Sequence, residues 1–423
     1  MRINYLSVLY IVIFSYNFTS AQIAALIFIL LALIFLVFGD KSVSSGYLKI
    51  VWPLIAIFIV GVMGIYGHKE KDIVRDILYA LSPIALVFLG QCLADVNLKW
   101  QKLLKAIVFS GVILALIHLY RFVLNPALIG ADLTTIGEES YVSGDLVVLA
   151  FVLGLFQNRF RLGNLFPRFF PRSVFLVVLF FSFVLSYSRT ELVVFLVLCF
   201  ALLGYLHQFN RRSAFVVAAV AMVVLVFSAV PAADDGSVSF VTKLVRSLTE
   251  ISISDYSQQE DINSNWRGFE TYRVFATYMS GNALEKVFGQ GFGSLVSLGF
   301  TMTLGGSDYD YIPVLHNGYA YILIKTGVAG LLLYGLFYLK LFSIAVSDAN
   351  SKNSRKNFLA LLLLGIVLSL AITMYVVGGP PEVHSSEFVL LLGYLTRRLK
   401  IERENVLDPA ISNPVAIEHN SHK

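Results

Sequence analysis

Residues 358–377 read FLALLLLGIVLSLAITMYVV, a run of twenty residues without a charged side chain. An α-helix rises about 1.5 Å per residue, so about twenty apolar residues cross the roughly 30 Å hydrocarbon core of a bilayer. The run is continuous and does not alternate with period two, which favours a transmembrane helix over a strand of a membrane barrel. We therefore predict that this run is a helix that spans a membrane.

Further runs of this kind predict a polytopic membrane protein. The composition agrees, since 57% of the 423 residues are hydrophobic, 14% are charged and the mean hydropathy is +0.76. These values lie outside the range of soluble globular domains. We predict an all-α protein with about twelve transmembrane helices, at residues 5–18, 22–38, 48–66, 73–93, 104–123, 142–156, 174–187, 190–207, 214–230, 319–344, 358–377 and 387–399.

The distribution of Lys and Arg predicts the orientation in the membrane. The net charge is +5, but the cations lie mainly in alternate short loops, which indicates cytoplasmic loops and excludes a nucleic-acid patch. Both termini are then cytoplasmic. These loops and the C-terminal tail contain Lys41, Lys49, Lys99, Lys102, Lys105, Arg159, Arg161, Arg168, Arg172, Arg211, Arg212, Lys352, Arg355, Lys356, Arg397, Arg398, Lys400 and Arg403. The loop at 68–76 is an exception, because it contains three cations and three carboxylates on the other side.

The runs divide the chain into four parts. Residues 1–230 contain helices one to nine, and the first of these is interpreted as an uncleaved signal anchor. Residues 231–316 form one large, partly helical periplasmic loop, in which apolar residues at helical spacing predict an amphipathic helix over 266–288. Residues 317–400 contain helices ten to twelve, and 401–423 are a disordered cytoplasmic tail.

Two cysteines, Cys92 and Cys199, lie inside apolar runs without a metal-like spacing. We predict buried thiols, and neither a disulfide nor a metal site.

Arg189 interrupts two apolar runs within Ser-Tyr-Ser-Arg-Thr, residues 186–190. One interpretation is a short outer turn whose guanidinium reaches the lipid headgroups. The other is a phosphate ligand, because the guanidinium fork donates two hydrogen bonds to one phosphate and stays charged at low dielectric. Glu191 is the main argument against the second interpretation, since its carboxylate would partly neutralise Arg189.

The predicted periplasmic loop contains the other candidate residues. Arg267 and Arg273, taken alone, are more typical of solvated loop positions than of a site. Gly289-Gln-Gly-Phe-Gly293 lacks the flanking strand and helix of a nucleotide fold, so we predict a tight turn in which Gly291 admits close backbone approach, for example to a substrate. His316, followed by Asn317, Gly318 and Tyr319, is either a helix cap or a general base.

These motifs occur in an order that resembles the O-antigen ligase and O-antigen polymerase superfamily. The resemblance covers about 185–337 and rests on Ser-Tyr-Ser-Arg-Thr, on Arg267 followed by the glycine turn, and on His316-Asn-Gly-Tyr with Lys325-Thr-Gly-Val-Ala-Gly330. It implies a multi-pass enzyme of the bacterial inner membrane with a periplasmic active site. It further implies a glycan donor on undecaprenyl diphosphate, and neither a metal nor another cofactor.

Site residues follow from the resemblance position by position. It implies that Arg189 and Arg267 bind the donor diphosphate and that His316 is the catalytic base. Arg273 is a less direct counterpart for the diphosphate, and Asn317, Tyr319 and Gly291 are supporting candidates. Lys325 departs from the acidic or neutral residue expected there, so we assign it no role.

Three functions remain open at this stage. We favour an inverting polymerase that joins undecaprenyl-diphosphate-linked repeats into O-antigen or exopolysaccharide, with a lipid-linked glycan as acceptor and possible contact with a chain-length regulator. A ligase would transfer the finished glycan to lipid A core from the same donor. A flippase is the third candidate, but the candidate arginines lie toward one face, whereas transporters place charges at mid-membrane depth and show internal repeats.

Overall fold

The computed structural model describes residues 5–38, 45–95, 98–125, 144–186, 188–207, 262, 265–304, 307–378 and 385–407. The predicted span at 214–230, most of 231–264, His384 and the tail from 408 lie outside these residues. The helices are α1 Tyr5–Phe18, α2 Ala21–Phe38, α3 Ser45–Met63, α4 Glu70–Asp95, α5 Trp100–Leu124, α6 Gly144–Phe156, α7 Arg172–Leu185, α8 Arg189–Leu203, α9 Trp266–Ser280, α10 Ala283–Phe288, α11 Gly318–Asp348, α12 Ser354–Val377 and α13 Ser386–Leu407.

Most predicted spans coincide with helices. Six helices, α2, α3, α4, α5, α11 and α12, are long and apolar enough to cross a membrane. Three shorter apolar helices, α1, α6 and α7, also occupy predicted spans. The chain is therefore a polytopic, mainly helical membrane protein.

One end of the helix bundle, here called the Asp348 end, is held by ion pairs. The Asp348 carboxylate at the end of α11 lies 2.9 Å from Lys356 Nζ of α12 and 2.7 Å from Arg403 Nε of α13. Arg397 Nε of α13 lies 2.6 Å from Asp95 Oδ1 at the end of α4. Cations predicted to lie on one side of the membrane thus gather at one end of the bundle.

The opposite end, here called the His316 end, is where α11 begins and α12 finishes. The Gly378 peptide N–H donates to the His316 carbonyl at 2.5 Å. Here α6 and α13 also begin, since the Ser385 hydroxyl donates to the Asp145 carboxylate. The buried Asp145 carboxylate thus has a hydrogen-bond partner within the protein.

The segment before α11 differs from the predicted single helix. The helix over 266–288 is broken at Gly281 and Asn282 into α9 and α10, and Asn282 caps α10 by accepting a hydrogen bond from Glu285 N. Two strands follow, β1 Val296–Leu304 and β2 Ser307–Ile312, which pair antiparallel with an irregular register between Ser297 and Met302. The sequence analysis did not predict this hairpin.

Candidate functional site

His316 lies just before α11, where its backbone is hydrogen-bonded and its side chain is exposed. Its peptide N–H donates to both carboxylate oxygens of Glu270 in α9, at 3.1 and 3.0 Å. Its carbonyl accepts from Gly378 at the end of α12. The imidazole is nevertheless 55% exposed. The histidine is therefore held by three segments while its side chain stays accessible to a substrate.

Glu270 is the residue that the sequence analysis missed. Its side chain is 1% exposed, and Oε2 lies 3.4 Å from Nδ1 of His316. A carboxylate beside Nδ1 favours the tautomer with the proton on Nδ1, which leaves Nε2 with the lone pair that accepts a proton. The pair has the arrangement of a general base and the group that orients it.

Helix α9 carries Arg267 on the same face as Glu270. The two residues are three apart, and residues at this spacing are neighbours on a helix surface. Thr271 continues this face, and its hydroxyl accepts from the Asn317 amide at 3.4 Å. The half-buried Arg267 thus lies one turn from the carboxylate that contacts His316.

Asn317 and Tyr319, the two supporting candidates beside His316, hold the start of α11. The Asn317 side chain accepts from the N–H groups of Tyr319 and Ala320 at 3.1 and 3.2 Å, which satisfies two of the unpaired donors at a helix start. The Tyr319 hydroxyl donates to the Ala371 carbonyl of α12 at 2.6 Å. Both contacts stabilise the position of His316.

Arg189 is the first residue of α8, and its guanidinium is half-exposed. Ser188 caps the helix by accepting from Glu191 N. The Glu191 carboxylate accepts from the Ser186 hydroxyl at 2.8 Å and packs against Gly144 at the start of α6. The Glu191 carboxylate, which was expected to neutralise Arg189 in part, is thus hydrogen-bonded to the Ser186 side chain.

Packing of α8 on α12 places Arg189 at the His316 end. His207, after α8, contacts Asn350, before α12, at 2.7 Å. Leu198 packs against Gly365 halfway along. The two helices are therefore antiparallel, so the start of α8 lies where α12 ends. The structure brings Arg189, Arg267 and His316 to the same end of the bundle.

Arg273 is also three residues from Glu270 on α9, but its guanidinium is held by the hairpin. Its Nε donates to the Ser297 carbonyl of β1 at 2.9 Å, and its guanidinium packs against Gly299. The structure thus directs Arg273 to the hairpin.

Residues 174–335 match the family model described as O-antigen ligase. The predicted resemblance to the O-antigen ligase and polymerase superfamily is confirmed. The ligase-family match contains Arg189, Arg267, Glu270 and His316. A search of curated proteins found no match. The apolar helices indicate an integral membrane protein, and the match supports a role in polysaccharide biosynthesis.

The glycine turn at 289–293 lies close to the protein's own backbone. Helix α11 is broken at Gly327, where φ is 66° and ψ is −166°. The break frees carbonyl groups of the preceding turn, and Gln290 N and Gly291 N donate to Ile324 and Lys325 at 2.8 and 3.0 Å. A Cβ at Gly291, whose φ is 85°, would lie 2.2 Å from the Gly64 carbonyl. Close approach therefore occurs as predicted, and the neighbours are α3 and α11.

A buried charge cluster holds the same turn against α4. Lys325 Nζ lies 2.7 Å from Asp76 Oδ2, and both side chains are at most 2% exposed. Asp76 also accepts from Gly293 N at 2.8 Å and from the Tyr321 hydroxyl at 3.0 Å, and Arg75 lies 3.1 Å away. Lys325, which the resemblance left without a role, thus joins α11, α4 and the turn.

Proposed function

We propose that the protein is a periplasmic-face glycosyltransferase that polymerises glycan repeats carried on undecaprenyl diphosphate. The observation that carries the proposal is the exposed His316 imidazole on the buried Glu270 carboxylate, one helical turn from Arg267. This arrangement suits attack by a sugar hydroxyl on an anomeric carbon that carries a diphosphate. Such a reaction needs a base for the hydroxyl and positive charge on the leaving group.

His316 Nε2 takes the proton of the acceptor hydroxyl as its oxygen bonds to the anomeric carbon. The bond from that carbon to the diphosphate oxygen breaks, and its electrons remain on undecaprenyl diphosphate. One displacement inverts the anomeric configuration. Glu270 holds the proton on Nδ1 and stabilises the imidazolium that forms, because its charge is opposite and it is shielded from water.

Arg189 and Arg267 bind the diphosphate in this proposal. Two points support this role. Both arginines lie at the His316 end, and the guanidinium fork can donate two hydrogen bonds to one phosphate. The α8 start adds the positive end of the helix dipole, which favours an anion. Arg273 stays a prediction for the same ligand, since its Nε is already bonded to Ser297.

Reconstitution tests the reaction and separates polymerase from ligase. Purified protein in liposomes receives an undecaprenyl-diphosphate-linked repeat, with or without lipid A core, and the products are separated on gels. A ladder without core supports the polymerase, whereas transfer only in the presence of core supports the ligase. The absence of a covalent product in both reactions favours a flippase.

The His316→Ala variant tests the assigned base. It should bind donor as the unaltered protein does and form no product. Wild-type product formation by this variant would refute the mechanism. Tyr309→Ala, an exposed substitution on β2, serves as the control for insertion and handling.

A further inference from the structure

Helix α10 presents an apolar face that continues the surface of α11. Leu284, Val287 and Phe288 are 71%, 46% and 46% exposed. The Val287 carbonyl packs against Gly327 of α11. Val328 follows this glycine directly and Leu332 lies one turn further along α11, and these two side chains are 43% and 70% exposed. Helix α11 is long and apolar enough to cross a membrane, and its exposed apolar side chains are those that would then face lipid. The exposed face of α10 adjoins this surface.

The position of Gly327 along α11 gives the depth of this face. Near the Asp348 end, Lys340 lies 4.7 Å from the Trp52 ring and donates to the Lys49 carbonyl, a pairing typical of a membrane interface. A hydrocarbon thickness of about 30 Å at about 1.5 Å per residue places the other interface about twenty residues earlier, near Ala320. Gly327 then lies about 10 Å inside the hydrocarbon.

The turn after α10 meets the condition for irregular backbone at that depth. Non-helical backbone is tolerated within a membrane where protein groups satisfy its N–H donors. Gly289 N donates within α10 to Glu285, and the next two donors use the carbonyls freed by the break in α11. Phe292 N donates to Gly61 at 2.8 Å, and Gly293 N donates to Asp76. Each N–H from 289 to 293 has a protein acceptor.

We propose that residues 283–294 form a re-entrant element that is sunk into the bilayer, with Leu284, Val287 and Phe288 against lipid acyl chains. The Asp76–Lys325 pair and the carbonyls at the break in α11 anchor it from the protein side. Asn282 donates to Glu285 Oε1 at the start of α10, which faces the headgroups, and the long side chain of Lys286 in the last turn reaches the same level.

This element also sets the height of α9, which directly precedes it. The role of Arg267 here rests on the proposed function: the embedded element holds Arg267 at the headgroup level, where the diphosphate of a lipid-linked donor lies. The lipid contact itself is a structural claim that does not depend on transferase activity.

Site-directed spin labelling tests the lipid contact in the full-length protein in liposomes. Cys92→Ala and Cys199→Ala give a background without other thiols, since the chain has two cysteines. A nitroxide is attached to Leu284→Cys, and its collisions with oxygen, which concentrates in lipid, are compared with those of a water-soluble nickel chelate. Leu332→Cys is the lipid-facing control. Tyr309→Cys, 43% exposed on β2, is the control for the polar hairpin.

The label at Leu284→Cys should favour oxygen over the nickel chelate, as at Leu332→Cys and in contrast to Tyr309→Cys. Preference for the chelate at Leu284→Cys would overturn the proposal, because the face would then lie in water. Low access to both reagents would also overturn it and indicate a covering protein surface. If the label at Leu284→Cys favours oxygen but the protein forms no glycan product, the re-entrant element is supported and the proposed function is refuted.

Discussion

Replacement of Glu270 by glutamine tests the proposed base most directly. The amide oxygen keeps an acceptor for the His316 N–H, whose distances to the carboxylate oxygens are now 3.1 and 3.0 Å. The amide NH2 then faces Nδ1, where the carboxylate oxygen lay at 3.4 Å, and donates to it. This favours the tautomer with the proton on Nε2, so the outward-facing nitrogen no longer accepts a proton.

The expected loss follows from the contribution of a general base. We expect kcat to fall about 10²- to 10³-fold, which equals about 2.7 to 4.1 kcal/mol of transition-state stabilisation. The KM for donor should change little, because Glu270 is buried and touches His316 instead of the diphosphate. Glu270 therefore acts on the chemical step through His316.

Initial rates of product formation in liposomes provide the assay, with Glu285→Gln as the matched control. Glu285 undergoes the same change of charge on α10, where it contacts Asn282 and not the site. An unchanged kcat in Glu270→Gln, or an equal loss in Glu285→Gln, would refute the reasoning.

Three further predictions test other contacts. Arg267→Lys loses the guanidinium fork and should raise the donor KM about tenfold with a smaller change in kcat, while an equal effect of Arg273→Lys would contradict the assignment of the Arg273 guanidinium to the hairpin. Asp76→Asn should lower the free energy of unfolding by about 3–5 kcal/mol in detergent melts, and adding Lys325→Met should recover part of it, because no buried cation is then left without its carboxylate. Gly291→Ala should destabilise the fold by at least about 1–2 kcal/mol, the cost of the left-handed backbone alone, and an unchanged melting temperature would show that the turn is loosely held.

The sequence predicted the membrane helices well because hydrocarbon imposes a simple rule on them. A continuous apolar run of sufficient length is enough to predict a membrane helix. Helix α12 is an example, because its bounds include the whole run at 358–377. The order of motifs also predicted the family match over 174–335. Both signals are local in the sequence.

Contacts between distant segments were not predictable in this way. Glu270 is one of many carboxylates, and only the fold shows that it lies beneath His316, forty-six residues away. Arg75 in the exceptional loop pairs with Asp72 at 2.8 Å and with Asp76, so this cation is neutralised within the protein and carries little information on orientation. The sequence does contain a local signal for the hairpin, since Gly305-Gly306 lies between residues of high strand propensity. A search for membrane helices does not consider this kind of signal.

The break at Gly327 makes α11 two mechanical units. The upper unit, residues 318–326, is joined by side chains and carbonyl groups to α9, the glycine turn and α12, whereas residues 328–348 belong to the rod that reaches Asp348. A chimera with a relative is therefore best joined at this glycine. Exchange of 265–326 would move Arg267, Glu270 and His316 together and leave the rod at 328–348 unchanged.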